Sequence, residues 1–265
     1  MTDILVAAAT VEPITRQQAK DQARISISDE DTLLDRLIAT ARSHVERVTS
    51  RALVLQSRRL YLDEFPASGC IEIYRAPVRA VQSVQYLDTA GDTQTLATTQ
   101  YRLDKHAIPA RVTEAVDVSW PDTYDVPNAV WVNYTVGHLI PFTAATTDIL
   151  TAAGHGFADT DVSQVQTLAG VLPAGLSAST NYYARDAAAD TLKLSATSGG
   201  AAVDITDTGT APNVLGHLPP DIVHALALLI AHWHANREAL LVGTIQAEIE
   251  AGVESLLAPY RICRF

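Results

Sequence analysis

Three of the eight histidines, His224, His232 and His234, lie close together near one end of the sequence. Imidazole nitrogens are common metal ligands, so this grouping raises the hypothesis of a metal site. On a helix, however, His232 and His234 are about 200° apart around the axis, and His224 and His232 are separated by roughly 12 Å along it. No His-Glu-x-x-His or Cys-x-x-Cys pattern accompanies them. We therefore expect no metal and no cofactor, and we interpret these residues as polar edges of a packed helix.

Two further segments contain residue types that are found in catalytic or anion-binding sites. Ser119–Asp122 supplies a serine and an acid, but it lacks the Gly-x-Ser-x-Gly turn and a histidine placed to activate the hydroxyl. Gly154–Gly156 is rich in glycine, but no P-loop lysine follows it, so a turn is the better interpretation. The sequence thus predicts no catalytic residue and a non-enzymatic protein.

Charge and cysteine content narrow the classes of function further. The chain has 19 basic and 30 acidic residues, a net charge of -11, which is the wrong sign for a protein that grips nucleic acid phosphates. An acidic surface would suit a channel through which DNA slides without sticking. Cys70 and Cys263 are predicted to be free thiols.

The apolar runs of the sequence are short. The longest, Ile4–Ala9 and Ala225–Ala231, are far below the roughly 20 residues that cross a bilayer. The first residues also carry an acid where a secretory signal carries lysine or arginine. We expect a chain that stays in the cytoplasm where it was made, with no membrane span.

Helical patterns begin near the amino terminus. Thr15–Ile25 predicts a short helix capped by Thr15, and a longer helix with Ser28 as its N-cap follows. Apolar residues recur at helical spacing along the longer helix, and the charged residues lie largely off its packing face. The apolar positions are Leu34, Leu37, Ile38, Ala41, Val45 and Val48, and the charged ones are Arg36, Arg42, Glu46 and Arg47.

Two more helices are predicted near the carboxyl terminus. Asp221–Asn236 follows a pair of prolines, which suit the start of a helix, and its apolar residues again recur at helical spacing. Ala247–Leu257 predicts a last helix, which must end before Pro259.

Strand patterns separated by turn residues fill the middle of the chain. Alternating or β-branched runs predict strands at Arg59–Leu62, Ile71–Tyr74, Val81–Leu87, Tyr101–Asp104 and Ala129–Tyr134. Asp88–Asp92 predicts a hairpin turn. From about Pro141 to Gly216 the composition shifts to Ala, Thr, Gly and Asp. This region predicts a second β unit, with strands at Val162–Leu168, Asn181–Arg185 and Thr191–Ser195.

Together these patterns predict an α+β fold: a discontinuous helical bundle from both chain ends, with an inserted antiparallel β domain and a second small β module. The predicted units are 1–53, the first half of the bundle; 54–140, the β domain; 141–216, the inserted β module; and 217–265, the second half of the bundle with a terminal tail.

Several short runs, taken in order, resemble a known family. The runs are Tyr101-Arg102-Leu103-Asp104, Ala110-Arg111-Val112, Ser119-Trp120-Pro121, Pro127-Asn128-Ala129-Val130, Val132 to Gly137, Pro219 to Ile222, Ala231 to Glu238, and Leu256 to Arg261. This series resembles the head-tail connector (neck adaptor) family of phages, prophages and gene transfer agents, over roughly Val11–Gly137 and Leu218–Phe265. Family members pass almost directly from Tyr-Thr-x-Gly to the next helix, whereas residues 141–216 intervene here and resemble small β modules of other virion proteins.

The resemblance implies a structural role in the virion neck, for a chain made in the bacterial host cytoplasm. It implies a homo-oligomeric ring, a dodecamer in the particle, seated beneath the portal protein and in contact with further neck or tail-completion proteins. DNA would pass through the ring without sequence-specific binding. A carboxyl-terminal tail would bind the portal through Tyr260, Arg261, Ile262, Arg264 and Phe265. No catalysis and no cofactor are implied.

Two alternatives remain open. In the first, Tyr260 and Ile262 fold back onto the subunit's own helices and only the last residues are loose. In the second, the chain is a virion binding module whose β insert recognises a host surface polymer or decorates the particle, with Tyr182 and Tyr183 as possible contacts. Adjacent residues in a strand face opposite sides, so one of these tyrosines should be buried.

Overall fold

A computed structural model describes residues 1–236 and 252–262 of the chain. The helices are α1 (Arg16–Ala23), α2 (Asp31–Thr49) and α3 (Pro220–Ala235), and residues 252–257 are also helical. The strands are β1 (Thr2–Ala7), β2 (Gln56–Leu62), β3 (Cys70–Ile73), β4 (Val78–Leu87), β5 (Thr93–Thr95), β6 (Tyr101–Asp104), β7 (Ala110–Glu114), β8 (Val130–Val136), β9 (Ile140–Ala144), β10 (Leu150–Thr151), β11 (Val162–Thr167), β12 (Asn181–Arg185), β13 (Thr191–Ser195) and β14 (Asn213–Leu215). Within these two ranges, no helix is long and apolar enough to cross a membrane. The predicted mixed α+β class is confirmed, and strands dominate.

The starts of the first two helices differ in how they are capped. Thr15 forms a capping box with Gln18: the Gln18 N–H donates to Thr15 Oγ1 at 3.0 Å, and the Thr15 N–H donates to Gln18 Oε1 at 2.8 Å. The prediction that Ser28 caps α2 is wrong, because the N-cap position is Glu30 and no side chain caps it. Asp31 instead forms an ion pair with Lys20 at 2.5 Å, so the acid at the start of α2 holds α1 against it.

The three helices pack around one apolar core. Its fully buried members include Leu34, Ile38, Ala41 and Val45 of α2 and Ile222, Ala225, Leu226 and Ile230 of α3. The residues at 252–257 contribute Val253 and Leu257 to the same core. The predicted four-helix bundle stays a prediction, because the first five residues of the predicted Ala247–Leu257 helix lie outside the described residues.

Two sheets enclose a second core. One has five strands in the order β1-β2-β8-β4-β5, and the other has three in the order β3-β7-β6. Leu60, Val132 and Val84 are in register across three neighbouring strands of the larger sheet, and all three are buried. The predicted hairpin turn is confirmed, because the Asp88 N–H donates to the Asp92 carbonyl at 2.9 Å. The alternation in the sequence thus marks the face that is turned inward.

The chain from Ile140 to Leu215 forms a closed antiparallel barrel, in the order β10-β13-β12-β11-β14-β9. Its interior is lined by alternate residues of each strand, such as Leu192 and Leu194 of β13. Leu168 and Val214 instead belong to the helical core, so the barrel and the helices share a buried boundary. The domain limits predicted from composition stay predictions.

Candidate functional site: the carboxyl-terminal segment

The candidate site is the carboxyl-terminal segment, residues 252–262, which lies against the end of α2 and the start of α3. Leu257 is fully buried and ends the helical stretch, because Pro259 cannot continue it. A single 3₁₀ turn, Ala258–Tyr260, follows, and Arg261 is already extended. The segment therefore emerges from the helical core in a fixed direction rather than continuing a helix.

Tyr260 is half-buried and packs against the helical core. Its hydroxyl donates to Asp221 Oδ2 at 3.1 Å, in the first turn of α3. Partial burial and this hydrogen bond raise the pKa of the Tyr260 hydroxyl, because both disfavour the phenolate. The Tyr260 carbonyl accepts a hydrogen bond from Arg51 Nε at 2.7 Å. Tyr260 is thereby held to two separate elements of its own subunit.

Ile262 is also tied to the subunit. Its N–H donates to the Thr49 carbonyl at 3.1 Å, at the last residue of α2, and its side chain is half-buried. Arg261 between them is exposed and forms one ion pair, with Glu254 at 3.1 Å. The geometry thus agrees with folding back for Tyr260 and Ile262, and it leaves Arg261 at the surface. The predicted contacts Arg264 and Phe265, like Cys263, lie outside the described residues.

A buried carboxylate in the last part of α2 binds the chain that follows this helix, near the residues to which the carboxyl-terminal segment is bonded. Glu46 is 8% exposed, and its Oε1 accepts hydrogen bonds from the Leu53 N–H and from Gln56 Nε2, each at 2.8 Å. Arg42 lies 3.4 Å from Glu46 Oε2. The prediction that Glu46 lies off the packing face of α2 is therefore wrong. The chain after α2 turns back over that face, and its backbone needs an acceptor.

Two of the three histidines of α3 have structural partners in the described residues, and His224 is exposed. His234 Nε2 lies 2.6 Å from Glu30 Oε2, which links the end of α3 to the start of α2. His232 Nδ1 lies 3.0 Å from Asn236 Nδ2, one turn along the same helix. Among residues 1–236 and 252–262, no group of three or more His, Cys, Asp or Glu side chains is arranged to hold a metal ion.

The glycine-rich segment at 154–156 forms a turn that fixes the barrel to the larger sheet. A Cβ added to Gly156 would lie 2.0 Å from the Arg79 carbonyl oxygen, so only glycine allows this approach. Lys105 Nζ donates to the Gly156 carbonyl at 2.9 Å, and Thr135 Oγ1 donates to the Gly154 carbonyl at 2.9 Å. The interpretation as a turn, rather than an anion cradle, agrees with this geometry.

The Ser119–Asp122 segment is likewise a packing element. The Trp120 ring stacks on Phe65, with ring centroids 4.9 Å apart and planes at 8°. The Trp120 N–H donates to Glu114 Oε1 at 2.7 Å. This segment covers one end of the core between the two sheets, and Ser119 is an exposed residue beside it.

The two tyrosines of β12 differ in burial. Tyr182 is 4% exposed and lies in the barrel core, and its hydroxyl accepts a hydrogen bond from the Ser177 N–H at 2.9 Å. Tyr183 is half-buried on the opposite side of the strand. Of the two contacts suggested for the barrel, only Tyr183 has a side chain available at the surface.

The chain was compared with known proteins in three ways. No family model matches it, and no curated protein matches it. Chains in solved structures match over 100% of this chain and 97% of their own length. One is from the virion of a native gene transfer agent (GTA) particle, with a TM-score of 0.57 and 17% identity. Others are from the neck of an empty GTA particle computed with C6 symmetry (0.58, 17%) and the neck of a native GTA particle computed with C12 symmetry (0.54, 16%). At this identity the likeness establishes a shared fold, and it includes the barrel.

Proposed function

We propose that the chain is a structural head-tail connector, an adaptor subunit that forms a ring beneath the portal and joins head to tail. The observation that carries the proposal is the fold likeness to chains of GTA necks over the whole chain, helices, sheets and barrel together. The ring is a homo-oligomer, a dodecamer in the particle, and the C12 symmetry of one such neck supports this number. Its partners are the portal protein and further neck or tail-completion proteins.

The contacts of the polar residues also agree with a structural role. His232 and His234, the serine segment and the glycine turn serve packing and element junctions. The net charge of -11 suits a ring that continues the DNA channel, since DNA would pass without binding to its wall. The proposed role therefore needs no cofactor and no catalytic group.

The portal contact is proposed to be the five residues Tyr260, Arg261, Ile262, Arg264 and Phe265. Tyr260 and Ile262 fix the point and direction at which the segment leaves the subunit. Arg261 is free to exchange partners at little cost, because its ion pair with Glu254 is exposed on both sides. Arginine and aromatic side chains are the types that contribute most to interface energies when they are desolvated.

Removal of Arg261–Phe265 tests this contact. In the free subunit the deletion removes two backbone hydrogen bonds of the described residues and the partial burial of Ile262, each worth about 1 kcal/mol, together with the exposed ion pair between Arg261 and Glu254. It also restores the conformational freedom of the ordered residues, at about 1–2 kcal/mol each, so the two effects nearly cancel. We expect an unchanged melting temperature and loss of binding to portal-bearing heads in a sedimentation assay.

Two matched point variants distinguish the loss of a specific portal contact from the effect of removing any exposed positive charge. Arg261→Ala and Arg111→Ala each remove one exposed ion pair, with Glu254 at 3.1 Å and with Asp104 at 3.0 Å. Arg261→Ala should weaken portal binding at least tenfold, and Arg111→Ala should leave it unchanged. A truncated chain that still yields tailed particles would overturn the anchor, and so would equal effects of the two substitutions.

A further inference from the structure

The strand β1 lies at an open edge of the five-stranded sheet. It pairs with β2 on one side, from Thr2 opposite Tyr61 to Ala7 opposite Ser57. On its other side it has no strand partner within the described residues. An open edge presents unpaired backbone N–H and C=O groups, which are a template for pairing with another chain.

Three successive side chains of β1 are apolar and exposed. Ile4, Leu5 and Val6 are 41%, 50% and 56% exposed. Ile4 and Leu5 are adjacent in the strand, so they face opposite sides of the sheet, and neither side is covered. A continuous apolar run is typical of a strand that is covered on both faces, and not of a solvated edge.

β1 has neither a lysine nor a proline, and the protection that it does carry is a register shift, typical of a β-bulge, between Leu5 and Ala7 in its pairing with β2. Edge strands commonly carry an outward lysine, a proline or another charge that blocks further pairing. The one charged residue of β1 is Asp3, and its carboxylate accepts hydrogen bonds from Arg58 Nε at 2.8 Å and from the Tyr134 hydroxyl at 2.9 Å. Asp3 thus fastens β1 to its own sheet and leaves the outer edge without a charge.

The same sheet has a second open edge at β5, Thr93–Thr95, which pairs only with β4 among the described strands and is exposed throughout. We infer that the outer edge of β1 in one subunit pairs with the β5 edge of a second copy, and this inference rests on the proposed ring. The two edges are on opposite sides of one sheet, about 19 Å apart at 4.8 Å per strand spacing. Pairing of unlike edges is head-to-tail, and such an interface builds a ring when the rotation closes.

The lengths of the two edges determine how strong this contact is. β5 offers three residues, so only a few backbone hydrogen bonds form, each with a small net contribution. The contact is therefore weak between free subunits and adds up only when neighbours are held in place. The same contact covers the apolar side chains Ile4 and Leu5, because β5 and the β4–β5 hairpin of the second copy approach them.

Thiol cross-linking tests the pairing. In a background with Cys70→Ser and Cys263→Ser, the double variant Val6→Cys with Thr93→Cys is treated with a short bismaleimide, both as free protein at high concentration and in assembled particles. The expected result is a ladder of dimers, trimers and larger species on a denaturing gel. Dimers from Val6→Cys alone would mean that two β1 edges meet, which overturns the head-to-tail contact. Absence of any ladder in both preparations would overturn it too.

A charge placed on the edge gives an independent readout. Val6→Lys should shift self-association to at least tenfold higher concentration in sedimentation velocity, at an unchanged melting temperature. The matched control is Val116→Lys, since Val116 is also an exposed valine, 66% exposed, and lies in the turn after β7 rather than in β1 or β5. Equal behaviour of the two variants would overturn the inference. Portal binding is measured separately. Rings that form on portals without the cross-link would refute the edge contact alone. Cross-links in a protein that does not bind the portal would refute the adaptor role alone.

Discussion

Loss of the Glu46 side chain should lower the stability of the subunit strongly, although nothing in the sequence distinguishes Glu46 from an exposed glutamate. Glu46→Ala removes the acceptor for the Leu53 N–H and for Gln56 Nε2, and both donors are in buried residues. A buried donor left without a partner costs about 1–3 kcal/mol, so two of them cost about 2–6 kcal/mol. Arg42 also loses one of its two carboxylate partners, and Glu12 remains at 2.8 Å.

Urea denaturation followed by circular dichroism measures this cost. Glu46→Gln keeps one carbonyl acceptor and should cost only about 1–2 kcal/mol, because it loses the charge-assisted part of the hydrogen bonds. Arg47→Ala is the matched control on the same helix, since Arg47 is exposed, and it should change stability by less than about 0.5 kcal/mol. If Glu46→Ala cost no more than Arg47→Ala, the buried acceptor would not hold this junction together.

Three further outcomes are expected. Deletion of Thr143–Gly216 should leave a folded protein with a higher helical fraction and a cooperative melt by circular dichroism. The shortened protein should be less stable, because the helical core loses Leu168 and Val214. An unfolded product would show that the protein cannot fold without the barrel. The isolated chain should be monomeric or weakly associated by light scattering at micromolar concentration, and a stable closed ring without portal would contradict this. His138 should account for a loss of about 2 kcal/mol of stability from pH 7 to pH 5, because the unfolded state takes up a proton at this residue near pH 6.5. In the folded state, burial and then the charges of Arg79 and Arg51 lower the pKa of His138 to about 3, so His138→Gln should remove this part of the slope.

The elements that the sequence predicts correctly are those with a local signal. The Thr15 capping box and the two prolines before α3 are short-range features, and both mark helix starts close to where they occur. The strands β2, β4 and β8 show apolar alternation because one face of the sheet is buried. Local pattern was therefore sufficient for the α+β class and for most of the central strands.

The features that the sequence analysis misses depend on distant partners. β1 shows no alternation, so its apolar run carries no sign of an edge strand. The barrel closes through β14, which is short and pairs with β9 and β11, both far from it along the chain. The burial of Glu46 depends on where the chain returns after α2, which helical spacing does not reveal. Tyr260 looks free in the sequence because its partners, Asp221 and Arg51, come from other elements.

The central claim is the position of this chain in a particle, and a cryo-EM reconstruction of the neck tests it most directly. The adaptor account predicts a ring of twelve copies directly beneath the portal, around the DNA channel, with the segment from Arg261 onward in contact with portal subunits. Density for this fold at the capsid exterior or the tail tip, with another protein beneath the portal, would contradict the account and favour the binding-module alternative.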